Sequence, residues 1–288
     1  MLKFELFLAA LLVVYNAFPQ KLHPLEPVKN HYHTLQDLDP TPRSERSSLD
    51  ELQFPHNNRS SGLQFVGIEP TYLTQVNVDY LKQSLKFPAN SSDQTKAELD
   101  YLLEWEKKRT KSNRDRTMEI ARIGYWPPLE KNSSKSGLNV EDLFWECRTI
   151  IGKACTAEKY PVTMHLLAGV TRDMRIIEFT VKYYLLRPRP YHLEPKLNPM
   201  ARISSPSFAS GHTLWAYIQA FIWSELIPKK RNEFLILAYE VGESREIMGI
   251  HYPSDEEAAR VLAHKMLELM WQNPEFIEDL KNSRAEWK

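Results

Sequence analysis

An all-α fold, a single helical-bundle domain, is predicted by three features of this 288-residue sequence. Only nine glycines occur. Long stretches carry Leu, Ala, Glu, Lys and Arg at helical spacing, and runs that alternate apolar and polar residues are short and few. The chain is long enough to bury a full core. Lys plus Arg equals Asp plus Glu at 37 each, so there is no basic excess and no nucleic-acid partner is expected.

Taken in order, the chain opens with Lys3 ahead of an apolar stretch, Leu6 to Tyr15, which predicts an export signal over residues 1–17 and a periplasmic or secreted protein. The absence of a Cys near position 20 argues against a lipid anchor. Residues 18–62 hold Pro, His, Asn and Ser without an apolar period, the pattern of a linker or loosely attached arm, and the folded domain is placed at 63–288. Leu99, Leu102, Leu103 and Glu106 predict a helix from Asp93 to about Ser112, its basic run at Lys107, Lys108, Arg109 and Lys111 read as a solvated end. Pro127-Pro128 and residues 131–137 form a loop, and a helix is predicted from Val140 to Gly152. Eight residues along a continuous helix set Cys147 and Cys155 about 12 Å apart, beyond the ~7 Å limit for a bridge. A disulfide therefore needs a break near Gly152, and two buried thiols are the other reading. Asn58, Asn90 and Asn132 each begin an N-x-Ser sequon.

The chemistry lies in three later blocks. Leu166, Leu167, Val170, Met174, Ile177, Val181 and Leu185 give the helix over 162–186 one apolar face, with Lys182 at its edge. Arg187-Pro188-Arg189-Pro190 must end it, because each proline disfavours helical geometry in the residue before it. In the second block, Ser210 suits an N-cap, and Gly211 lets backbone approach an anion at the helix start. His212 follows in the first turn. In the third block, Ser254 and Glu257 form a capping-box pattern for a helix through Leu269. That pattern puts Asp255 in its first turn, His251 in its approach and Ser244-Arg245 upstream. Three cations, a helix-opening serine and two histidines, one with a carboxylate four residues on, are the parts needed to hold a phosphate dianion and break a phosphorus–oxygen bond.

Together the blocks resemble the type 2 phosphatidic acid phosphatase and vanadium haloperoxidase superfamily. Its pattern, Lys-x6-Arg-Pro, then Pro-Ser-Gly-His, then Ser-Arg-x5-His-x3-Asp, is met by Lys182 to Pro190, Ser210 to His212 and Ser244 to Asp255, with Ala209 in place of the motif's proline. The resemblance implies a helical bundle of the acid phosphatase type and a metal-independent hydrolysis of phosphomonoesters. Lys182, Arg189, Ser210, the Gly211 amide and Arg245 would bind phosphate. His251 would be the nucleophile, oriented by Asp255, and His212 the general acid and base. No cofactor is implied, and vanadate is expected to bind as an inhibitor.

The stretch from Leu214 to Ile227 is interrupted by Gln219 and Glu225, and nothing after residue 20 offers 18 apolar residues, so no membrane span is expected in the mature chain. The chain is thus most similar to the exported class A non-specific acid phosphatases of bacteria. A vanadium-dependent haloperoxidase is the alternative within the superfamily, although those proteins are generally much longer. A non-enzymatic anion-binding protein would need the cations but neither histidine. Among the aromatic residues near the motifs, Trp215 is assigned to the core, whereas Tyr191 and Phe208 lie in loops where they could meet a leaving group.

Overall fold

The computed structural model describes residues 48–55, 60–131, 133 and 137–288. The sequence-predicted signal, the first part of the arm and the sequons at Asn58 and Asn132 lie outside them. The fold is all-α, and the lone β-bridge among the described residues pairs Trp126 with Leu138. The helices are α1 (Gln75–Gln83), α2 (Asp93–Lys108), α3 (Lys111–Ile120), α4 (Trp145–Ile150), α5 (Pro161–Leu185), α6 (Pro190–Leu193), α7 (Gly211–Leu226), α8 (Arg231–Ile247), α9 (Pro253–Met270) and α10 (Pro274–Ala285). Among the described residues no helix is long and apolar enough to cross a membrane.

Helix α7 is apolar almost all round because it is covered on every side. Helices α8 and α9 pack most extensively on it, α5 lies against it, and α10 and α1 cover the outer side of α5. Helix α5 is turned off at Leu186, a non-glycine residue in the left-handed region (φ 52°), as expected where the next residue precedes a proline.

Several sequence expectations change. The helix predicted over 93–112 is two helices, because Arg109 is extended and Thr110 caps α3 in a reciprocal box with Asn113. Arg109 is not a solvated end: its side chain is 4% exposed, and Nη1 and Nη2 donate to the Ile247 and Asn198 carbonyls. The helix predicted over 140–152 is a 3-10 turn (Val140–Phe144) followed by α4. Gly152 (φ 130°) then reverses the chain and lets Cys155 hydrogen-bond with Cys147; both thiols are free and buried. Ser254 does not cap α9, since Pro253 takes the first helical position and moves the cap to Tyr252. The arm is docked where it is described. Phe54 is buried and donates its N–H to the Leu186 carbonyl, and Ser60 N–H donates to the Tyr183 hydroxyl. Asn90 is also buried, its amide donating to the Leu49 and Leu52 carbonyls, which leaves no room there for a glycan.

Glu146 of α4 is 1% exposed, and neither carboxylate oxygen has a hydrogen-bond partner. Burial pushes its carboxyl well above the ordinary 4.5, so it folds as the neutral acid. Below that value both folded and unfolded chains hold the proton; above it the unfolded chain ionises first, and the fold loses stability as pH rises. Glu146→Met is expected to stabilise the protein by about 1–3 kcal/mol at neutral pH. In urea unfolding the gain should shrink toward pH 4, and a gain that does not change with pH would contradict the neutral-acid assignment.

Candidate active site

The three motif blocks enter from the end of α5, the start of α7, and the α8–α9 connection. All the site residues predicted from sequence are buried except His212, which is partly exposed. Lys182 Nζ, on the last turn of α5, donates to the carbonyls of Pro206, Ser207 and Ala209 at 3.0, 3.0 and 2.7 Å. These bonds use all three of its donors. Lys182 is thus a clamp on the loop that presents Ser210. Arg189 plays a similar part. Its Nε donates to Ser205 O (2.9 Å), Nη2 to Ser205 Oγ (3.2 Å), and Nη1 to Ile250 O (2.9 Å).

The same Arg189 Nη1 lies 2.8 Å from His251 Nε2. A guanidinium can only donate, so Nε2 accepts and carries a lone pair, and the ring proton sits on Nδ1. Nδ1 lies 3.0 Å from Asp255 Oδ2, the acceptor that this tautomer requires. Asp255 is held on every side. Ser207 Oγ donates to Oδ2 at 2.5 Å, the Tyr252 N–H at 3.1 Å, and Arg187 Nη1 donates to Oδ1 at 2.7 Å. Burial alone would raise the Asp255 carboxyl, but Arg187 first, with His251 and Ser207, holds it far below the usual carboxylate range.

His212, in the first turn of α7, bonds the Ala121 carbonyl through one ring nitrogen, and its Nε2 has no partner. Ser210, at the N-cap, donates its hydroxyl to Thr213 Oγ1 at 3.0 Å, and Thr213 in turn bonds Glu256. Gly211 permits a close approach: a Cβ there would overlap the Glu178 carboxylate, which is paired with Arg175. Arg245 Nε and Nη2 bond Ser244 Oγ at 3.1 and 2.9 Å, and Nη2 also donates to Thr117 O.

Burial and crowding of like charge set the electrostatics. Burial, reinforced by Arg189, lowers the Lys182 ammonium to about 7, and burial lowers Arg245 to about 10. His251 is driven well below its ordinary value by burial, then by Arg189 and Lys182, with Asp255 opposing. His212 is driven down by burial, then by Arg245, Arg175 and Lys182. Lys182 therefore acts on both imidazoles, and the site sets two neutral histidines among buried cations. Among the described residues no group of three His, Cys, Asp or Glu converges as a metal-ligand set.

Arg187, Ser207 and Glu98 were not singled out by sequence. Arg187 shares the Arg-Pro-Arg-Pro run with Arg189, and Ser207 stands three residues before Ser210, so both had a local signal. Glu98, on α2, had none. Phe208 is buried against Phe87. Tyr191 is also buried, with Arg202 over its ring at 4.9 Å, and Trp215 is in the core.

A bundle that brings those blocks together at one end defines a class, and comparison names it: residues 162–277 match the PAP2 superfamily, and the chain carries a domain of that superfamily. Among curated proteins it is 32% identical over 109 residues to a non-specific acid phosphatase of Providencia stuartii, covering 37% of this chain and 44% of that one. It is 25% identical over 167 residues to a non-specific acid phosphatase of Salmonella typhimurium, covering 56% and 66%. The chain thus spans less than two thirds of the length of these curated relatives. Among solved structures, a transmembrane PAP2 type phosphatidylglycerolphosphate phosphatase from Bacillus subtilis aligns with a TM-score of 0.44 and 19% identity, covering 68% of this chain and 92% of that one.

Proposed function

We propose that the protein is an exported, metal-independent acid phosphatase that hydrolyses phosphomonoesters through a phosphohistidine at His251. The observation that carries this reading is the fixed tautomer of His251, with its Nδ1 proton on Asp255 and its Nε2 lone pair among the cations. Lys182, Arg189, Ser210, the Gly211 amide and Arg245 would take the nonbridging oxygens, stabilising charge on the transferring group. The Nε2 lone pair forms the bond to phosphorus, the ester P–O bond breaks, and the leaving oxygen takes its proton from His212. His212 then removes a proton from water, the resulting hydroxide attacks phosphorus, and the N–P bond breaks to return neutral His251 and free phosphate.

The pH dependence follows from the signs. His251 must be neutral to attack, so activity falls in acid as it gains a proton. His212 must be protonated to act, yet in the anion-free site burial and Arg245 keep it neutral. A bound dianion offsets Arg245, Arg175 and Lys182, which lets His212 take up the proton it will donate. The profile of kcat is expected to be bell-shaped with an acidic optimum, and a flat rate from about pH 4 to about pH 8 would contradict the two histidine roles. The direct test is a panel of nucleotides, sugar phosphates and a short-chain lipid phosphate assayed with chelator present. Turnover that chelator abolishes would overturn metal independence. Vanadate should inhibit; vanadate-dependent bromide oxidation by peroxide without phosphate release would favour the haloperoxidase reading instead.

A further inference from the structure

We propose that Arg187, backed by Glu98, is a positioning residue that cancels the charge of Asp255 and thereby keeps the His251 imidazole neutral, and nucleophilic, in acid. The inference rests on the phosphatase reading for its consequence, but its physical content concerns His251 alone. An aspartate on Nδ1 orients a histidine, yet its negative charge also favours the imidazolium, which cannot attack phosphorus. An acid phosphatase needs the orientation without the full charge.

The geometry supplies that separation. Asp255 uses Oδ2 for His251 and Ser207, and Oδ1 for Arg187. The Arg187 side chain is 0% exposed and contacts no expected phosphate ligand. Its Nη1 also donates to Ser254 Oγ at 2.8 Å, and its Nη2 meets Glu98 Oε2 at 3.4 Å. Tyr252 and Phe87 lie over the guanidinium at 3.8 and 5.1 Å from their ring centres. Glu98 accepts from the Ser254 N–H and hydroxyl at 3.0 and 2.8 Å, so it ties Arg187 to the start of α9, where Asp255 sits. The charged groups acting on His251 are thus Arg189 and Lys182 from one side and Asp255 from the other, with Arg187 and then Glu98 behind Asp255.

The pair is also graded by pH. Burial raises the Glu98 carboxyl to about 7 against the pull of Arg187 and Ser254. As pH falls through that value Glu98 becomes neutral, and the whole charge of Arg187 is then set against Asp255. The offset strengthens in the range where His251 would otherwise protonate.

The test is titration of the His251 ring by histidine-selective isotope labelling and NMR in wild type, Arg187→Met, Arg187→Lys and Glu98→Gln, with the acidic limb of kcat/KM measured beside it. Arg187→Met is expected to move His251 protonation, and the acidic limb, to higher pH by about one unit, with kcat reduced in acid more than KM is raised. Arg187→Lys, which keeps the charge, is expected to restore most of that shift, and Glu98→Gln to leave the limb in place or move it to lower pH. A His251 titration unchanged in folded Arg187→Met, or unrestored by lysine, would overturn the proposal. If Arg187→Met does not fold, a shift to higher pH in Glu98→Gln would do the same. A wild-type protein that releases no phosphate while its His251 titration still follows Arg187 would defeat the phosphatase reading and leave this one standing.

Discussion

Replacing His251 by alanine is expected to lower phosphomonoester hydrolysis by about ten-thousand-fold or more, while inorganic phosphate still binds. The two effects separate because the proposed mechanism divides the labour. Attack needs the Nε2 lone pair, and no other described side chain offers an unprotonated nitrogen next to both Arg189 and Lys182. Binding would fall to Lys182, Arg189 and Arg245, none of which depends on the imidazole for its place, since each is held by backbone carbonyls. Asp255 also stays satisfied without the ring, through Arg187, Ser207 and the Tyr252 N–H, so the fold should survive the change. Phosphate affinity by calorimetry and turnover on the same preparation decide the matter. Undiminished hydrolysis would sink the nucleophile assignment; lost phosphate binding would mean that the imidazole shapes the anion site as well.

His212→Ala carries the second large effect, about a hundred- to ten-thousand-fold in kcat, and its size should depend on the leaving group. His212 is tethered at one ring nitrogen by the Ala121 carbonyl and leaves Nε2 without a partner, the nitrogen that would take up the donated proton once a dianion is bound. An alkyl phosphate, which must leave as a protonated alcohol, should lose most. A nitrophenyl phosphate, whose leaving oxygen is already a weak base, should lose much less in the first step. Equal losses on both substrates would assign His212 to anion binding or to the water step. The alkaline limb of the pH profile should also disappear in this variant, since that limb reports the proton which His212 gives.

The fold and the site were legible to different depths. Helices α5, α7 and α9 could be read because each carries an apolar face at helical spacing and a start or stop signal, such as Ser210 or the prolines after Leu186. The single helix expected over 93–112 failed because the charge pattern continues across Arg109 while the backbone does not; a cap at Thr110 outweighs a run of good helix formers. Helix α8, which delivers Arg245, was not read as a helix, its most exposed large apolar residue being Ile236 and its buried face interrupted by Gly242. The capping box read at Ser254 failed because Pro253 suits the first helical position and frees Ser254 for Glu98.

By itself the sequence determined which residue types, in which spacing, would be brought together, because a site of this kind demands particular side chains at particular local offsets and leaves a pattern along the chain. Only the tertiary structure decided how those groups are charged. That Lys182 spends its donors on a loop, that Arg187 turns inward to Asp255, and that Glu98 on α2 supports it are matters of burial and of partners far apart in the chain, including 89 positions between Glu98 and Arg187. Such contacts leave no periodicity to read, and it is burial, through the cost of removing charge from water, that makes them govern the chemistry.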